Sequence, residues 1–271
     1  MQRKAALGLA TFCFILGAPI AAPRAVAAPP FIYRGIVLPR GAVALDFGVG
    51  LAHEPTVPSG SVTGTGTGTG LNAEISGGLT NEVELGFRLG FRLDDAGQRL
   101  QADRYGRPFQ TETYGARNDR TANPEIHARW AMARGSSIEL GLDLRAYLPI
   151  EQRSRFGLML GVPLSLRAAS IRIDTGLFVP VVFYDPTATV VSVPVHLWIQ
   201  VTHVVWLGPL FGFKVVSEYG ASHDEYPLGF GLGAALGRAV DLRTWLMFPD
   251  INRAQAARTF GAGLALQIRF E

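Results

Sequence analysis

Cysteine is all but missing from this chain. The one thiol, Cys13, lies in an apolar stretch near the N-terminus that reads as a leader, so the remainder carries none. No disulfide framework can hold the rest together, even though the leader sends the chain out of the cytosol. Lysine is nearly absent too. Past Lys4 only Lys214 remains, and the other bases are arginine, which suits bidentate pairing with carboxylates. Charge in general is sparse: 17% of residues are charged and 48% are hydrophobic, with 32 glycines. That mixture is awkward for a soluble enzyme of this length. It suits a chain with one apolar and one polar face throughout. The formal net charge of +3 dissolves when the leader is set aside. Removing Arg3, Lys4 and Arg24 from the 25 bases leaves 22, against 22 acids. No basic footprint points to nucleic acid. Beyond the leader there is also no run of eighteen apolar residues, so no helical membrane span is expected.

The leader itself is MQRKAALGLATFCFILGAPIAAPRAVAAPP. Arg3 and Lys4 form a basic start, Ala5 to Ile20 is apolar, and Ala25-Val26-Ala27 is a small-x-small cleavage site. Residues 1–27 are therefore predicted to be a secretory signal peptide, with a mature N-terminus near Ala28. The apolar run is too short for a transmembrane anchor. Phe12, ahead of Cys13, is too large for a lipoprotein cleavage site. Residues 28–40 are predicted to be a short periplasmic segment, and 41–271 to form the folded domain.

What fills that domain is alternation. In NEVELGFRLGFRLD, residues 81–94, Val83, Leu85, Phe87, Leu89, Phe91 and Leu93 share one face, and charges and glycines share the other. Successive strand side chains point to opposite faces, so this is a strand. The pattern returns at about twelve places: 41–51, 71–79, 81–94, 122–132, 138–148, 156–166, 171–183, 191–201, 205–215, 228–236, 240–248 and 260–270. Globular strands are nearer 5–6 residues. A strand tilted by about 45° needs roughly 9–11 to cross a bilayer, which fits these lengths better. Connections alternate as strictly as residues do. Thr80-Asn81, Gly135-Ser136, Ala169-Ser170, Thr202-His203 and Gly237-Arg238 read as tight turns. Between them fall longer loops near 53–69, 94–120, 149–155, 184–190, 218–226 and 249–258.

Short turns on one side and long loops on the other are the asymmetry of bacterial outer-membrane barrels. The C-terminal FGAGLALQIRFE resembles the final strand of those proteins, although Phe270 is penultimate here. Tyr105, Tyr114, Tyr184, Tyr219 and Tyr226 gather near the expected outer rim. The whole chain after the leader thus resembles a twelve-stranded bacterial outer-membrane β-barrel, and narrow transport barrels of Gram-negative bacteria look closest. The resemblance implies an all-β, antiparallel up-and-down transmembrane barrel, integral to the outer membrane, with apolar residues toward lipid. It implies outer-membrane lipid and the barrel-assembly machinery, reached through the C-terminal strand, as partners. It implies no cofactor and no nucleic acid.

The polar face would then be the lumen. Its acids are Asp46, Glu74, Glu82, Glu84, Glu125, Glu139, Asp143, Asp174 and Asp241. Its bases are Arg88, Arg92, Arg129, Arg145, Arg167, Arg172, Lys214, Arg243 and Arg269. A ring of one sign would argue for ion selectivity. A balanced set argues for cross-strand pairs packing a small bore, with Glu74 facing Arg88 as one instance. Glycines on the same face leave room for long arginines. The same register turns Trp198, Trp206 and Trp245 inward, where an interfacial girdle would set them outward.

Other motifs carry less. Ser222-His223-Asp224 cannot form a triad, because adjacent residues cannot set a base between nucleophile and acid; it reads as a loop tip. His53-Glu54 and His223-Asp224-Glu225 are of a type that binds zinc, but nothing fixes their separation. No His-x-Ser of the outer-membrane phospholipases occurs. GSVTGTGTGTG, residues 60–70, lacks the lysine of a phosphate loop and reads as a flexible loop or a glycine-rich extension of the first hairpin. Asp94, Asp95 and Asp103 match no calcium loop. The expected function is a narrow passive channel for small solutes. A sealed barrel displaying its loops is the alternative, and a lipid-modifying enzyme the third.

Overall fold

The computed structural model describes residues 29–54, 66–92, 98–102, 108–113, 124–150, 156–183, 188–218, 221–252 and 256–271. The described chain is almost wholly strand: β1 (Val43–Glu54), β2 (Gly66–Gly78), β3 (Val83–Arg92), β4 (Gln98–Ala102), β5 (Pro108–Thr113), β6 (Glu125–Arg134), β7 (Ile138–Tyr147), β8 (Gly157–Ala168), β9 (Ile171–Val182), β10 (Ala188–Gln200), β11 (Val205–Glu218), β12 (Ala221–Glu225), β13 (Leu228–Ala235), β14 (Val240–Phe248) and β15 (Phe260–Phe270).

Twelve of these close into a wall. The order runs β10-β9-β8-β7-β6-β3-β2-β1-β15-β14-β13-β11, and β11 returns to β10. Every neighbour is antiparallel, and first and last strands meet where Val43 pairs with Phe270. Closure removes the edges that a bilayer could not satisfy with hydrogen bonds. β12 continues β13 upward along β11 after an interruption at Tyr226-Pro227. β4 and β5 form a separate hairpin within the long connection between β3 and β6.

The tight turns lie where the sequence predicts them. Leu79 N–H donates to Val83 O at 2.8 Å, and Thr80 Oγ1 accepts from the N–H groups of Glu82 and Val83, each at 3.0 Å. Ala169 and Gly237 supply the positive φ, at 48° and 121°, that two of the other turns require. The strands extend past the alternating cores: β1 reaches Glu54 and β2 begins at Gly66. Part of the glycine–threonine repeat is thus the upper end of the first hairpin, and residues 55–65 lie outside the described ones.

Alternation separates two faces. Phe47, Ile75, Leu85, Leu144, Leu160 and Phe230 stand outward and exposed. Exposed side chains this large, repeated around a closed wall, make a continuous apolar belt, which water would penalise and lipid accommodates. The inward face is buried and charged.

Candidate functional site in the lumen

A chain of alternating charges crosses four neighbouring strands inside the wall. Glu74 on β2 stands directly opposite Arg88 on β3 and accepts from its Nε at 2.8 Å. Arg88 reaches Glu125 on β6 at 4.0 Å. Glu125 accepts from Arg145 of β7 at 2.5 Å. Arg145 grips Asp143 with two bonds, at 3.1 and 2.8 Å. Asp143 also accepts from Arg129 Nε at 3.0 Å, and Arg129 turns to Glu84 at 3.3 Å. His127 is buried between Glu74 and Glu84, at 3.8 and 3.7 Å. Each charge has at least one opposite neighbour, the condition for keeping ionised groups away from water. Elsewhere Arg243 of β14 binds Asp46 of β1, which also accepts from Gln267 at 3.0 Å. Lys214 and Glu225 pair at 3.7 Å toward the loop end.

The turn end of the bore is crossed by the stretch ahead of β1. Pro29 to Arg40 does not join the sheet; it crosses the barrel as a strap, whose root at Gly41 and Ala42 bonds to the backbone of Gly78 on β2 at 2.8 and 2.9 Å. Phe31, at 3% exposure, stacks on Trp206 with ring centres 4.6 Å apart and meets Trp198 edge-on at 5.6 Å. Arg172 stands over the same ring at 5.1 Å and donates to Phe31 O at 3.2 Å and Arg34 O at 2.5 Å. The Arg34 side chain binds Asp241 on β14, one bond being 3.1 Å. Two residues on, Ile36 N–H donates to Glu139 on β7 at 3.1 Å. Leu38 N–H then donates to Glu84 at 2.8 Å. β7 and β14 lie six places apart in a ring of twelve, so the strap touches opposite walls within three residues. Between strap and wall a crevice of about 180 Å³ remains, lined by Arg34, Leu38, Asp241, Arg243 and Arg269 among others.

No protein-family model matches this chain, and no curated protein matches it in sequence. Solved structures do match. An outer membrane channel from Pseudomonas putida F1 aligns with a TM-score of 0.58 at 12% identity, over 89% of this chain and 99% of that one. The NanC porin aligns at 0.54 and 9% identity, over 84% of this chain and 99% of its own. The KdgM porin aligns at 0.52 and 9%, with the same two coverages of 84% and 99%.

The fold is that of a twelve-stranded outer-membrane barrel. With its apolar belt outside and its charges within, the chain is an integral protein of the bacterial outer membrane.

The barrel places the sequence-derived residues unevenly. Glu74, Glu84, Arg88, Glu125, Arg129, Glu139, Asp143, Arg145, Arg172, Asp174, Lys214, Asp241, Arg243 and Arg269 are buried inside, as is Asp46. Arg167 is half-buried and binds Glu139. Glu82 is not in the lumen. Its strand starts one residue later, so it lies exposed in the turn and accepts from Thr80 Oγ1 at 3.0 Å. Arg92 closes β3, and its side chain lies outside the described residues. Ser222-His223-Asp224 is no loop tip but part of β12, paired to β11, and His223 lies 3.5 Å from Glu225. The side chains of His53 and Glu54 fall outside the described set, as do Asp94, Asp95, Asp103 and all the rim tyrosines except Tyr226. Tyr226 packs on Phe213 at 5.4 Å.

The inward glycines make room for rings rather than for arginines. A Cβ on Gly233 would lie 2.2 Å from the Trp206 ring, and one on Gly263 2.1 Å from that of Trp245. The three inward tryptophans are therefore seated by the wall itself. With Phe31, Leu210 and Met247 they form a buried apolar cluster.

The strap is what sequence reasoning missed. A signal was available. Residues 29–42 hold Phe31, Ile32, Ile36, Val37 and Leu38 and no acid, yet do not alternate. A short solvated segment would not carry so much apolar surface.

Proposed function

We propose that this barrel is a narrow passive channel for small solutes, with a charge-paired lumen and no catalytic role. The observation that carries the reading is the continuous chain from Glu74 to Glu84 through Arg88, Glu125, Arg145, Asp143 and Arg129. It packs one side of the interior with paired charges of both signs, which narrows the bore and keeps the space beside it polar. Eight strands leave an interior filled by side chains and 16–18 an aqueous channel, and twelve stand between. The porin likenesses support the fold on which this rests.

A second reading has an observation of its own. The strap spans the turn end, which favours a sealed barrel that presents its loops. Liposome swelling separates the two. Folded protein in vesicles should admit small neutral sugars slowly, with uptake falling steeply as the sugar grows. No swelling with the smallest solute, in protein shown folded by heat-modifiable gel migration, would leave the sealed barrel as the better account. β15 closes the wall against β1 and ends at exposed Phe270, and we assign that strand as the one the assembly machinery reads.

A further inference from the structure

We infer that the strap, residues 29–42, is a displaceable plug that sets whether the bore is open at its turn end. The inference rests on the channel reading. Three features of the contact surface carry it.

First, the strap shares no ladder with the wall ahead of its root; only Gly41 and Ala42 bond to wall backbone, at Gly78 of β2. Beyond the root it is held almost wholly through side chains. Ile32, Ile36, Leu38 and Arg40 N–H donate to Gln200, Glu139, Glu84 and Asn81. Arg172 and Arg167 donate to the carbonyls of Phe31 and Arg34, and Tyr33 OH donates to Ala169 O. Arg34 pairs with Asp241, and Phe31 is seated on Trp206 and Trp198. Second, the wall charges it touches have partners without it. Glu139 keeps Arg134 and Arg167, Glu84 keeps Arg129, Asp241 keeps Arg269, and Arg172 keeps Asp174. Withdrawing the strap strands none of those buried ions, so the usual penalty for breaking a buried pair falls away. A segment that completed the wall's charge balance would be fixed; this one is an addition to a network already closed. Third, its root is built to turn. Gly41 has φ +77°, nothing lies within 4 Å of where its Cβ would be, and the Ala42 N–H closes a turn to Pro39 O at 3.1 Å. Beside the root, Gly78 admits the strap closely: a Cβ there would lie 2.0 Å from Pro39 O.

The strap also carries charge of one sign. Arg34 and Arg40 are its only charged residues. An applied voltage that draws positive charge out through the turn end should therefore favour opening.

The test is single-channel recording in planar bilayers on four forms purified from outer membranes. They are the native chain, a deletion of residues 29–38, Phe31→Ala with Arg34→Ala, and Gly78→Ala. Folding of each is checked by heat-modifiable migration. The native form should show brief, small steps, more frequent at one voltage polarity. The deletion should show a several-fold larger and steadier conductance without the polarity effect. The two substituted forms should lengthen open times, and they keep the test decisive where the deletion does not fold. Folded variants that conduct as the native form does, with the same polarity response, would overturn the plug and leave the channel standing. Silence in all four forms would overturn the channel and the plug together, and no current in any form marks that outcome apart from the first.

Discussion

At the scale of single residues, inside and outside obey opposite rules, and substitution tests them separately. Leu144 stands outward on β7 in the apolar belt. Arginine there meets hydrocarbon, at a cost of roughly 2–4 kcal/mol near the midplane. Leu144→Arg should lower the unfolding free energy in lipid vesicles, read from a denaturant titration, by that amount. Asp143, a few ångströms of wall away, is buried and holds both Arg129 and Arg145. Asp143→Ala leaves two guanidiniums facing each other without their shared carboxylate. Since Glu84 and Glu125 still serve them, the loss should sit near the low end for a broken buried pair, about 3 kcal/mol. Glu82→Ala, in the exposed turn, should change stability by less than about 0.5 kcal/mol. An equal loss at Glu82 and Asp143 in the same unfolding titration would contradict the placement of either. Alternation made most of these sides legible, because a strand offers each residue only two faces. Glu82 escaped because period alone does not say where a strand stops; Thr80 Oγ1 ends it by capping the turn.

At the scale of elements, the tight turns were legible from their Gly, Asn, Ser and Thr content, and the wall strands from their length. β12 was not. Its residues, ASHDE, are polar on both faces, so no period marks them. It is strand because β11 extends upward and offers a ladder from Lys214 to Glu218. The partner, not the sequence, decides there. The seats beneath the tryptophans were half legible: glycines on the inner face announced space, but not for which side chains. Gly263→Ala places a methyl against the Trp245 ring and should destabilise the barrel by about 1–3 kcal/mol. It should also shift tryptophan fluorescence, whereas Gly77→Ala, with open space around it, should do neither. Indistinguishable spectra and midpoints for the two variants would mean that the ring is not seated on β15. The strap was legible as a segment that must be buried, from its apolar content, but its place was not. It has neither the period of a strand nor that of a helix, and its burial comes entirely from a wall assembled from distant residues such as Glu139 and Asp241.

At the scale of the whole molecule, closure turns a local two-face pattern into two solvents. The same sequence rule that sends Leu85 to lipid sends Glu84 to the bore, and twelve repetitions leave no edge between them. The balance of acids and bases then governs what the bore does with ions. The most direct measurement is the reversal potential of single channels under a salt gradient, for the native protein and for Arg88→Ala. The native bore should give small, discrete steps with a reversal potential near zero, because acids and bases are paired across the described lumen as a whole. Arg88→Ala removes the guanidinium facing Glu74, leaves Glu125 to Arg145 alone and enlarges the lumen. Its conductance should rise and its reversal potential move toward cations, more strongly at low salt, where screening is weak. A native channel already selective for one sign, or a variant with unchanged conductance and reversal potential, would contradict a charge-paired lumen as the path of passage.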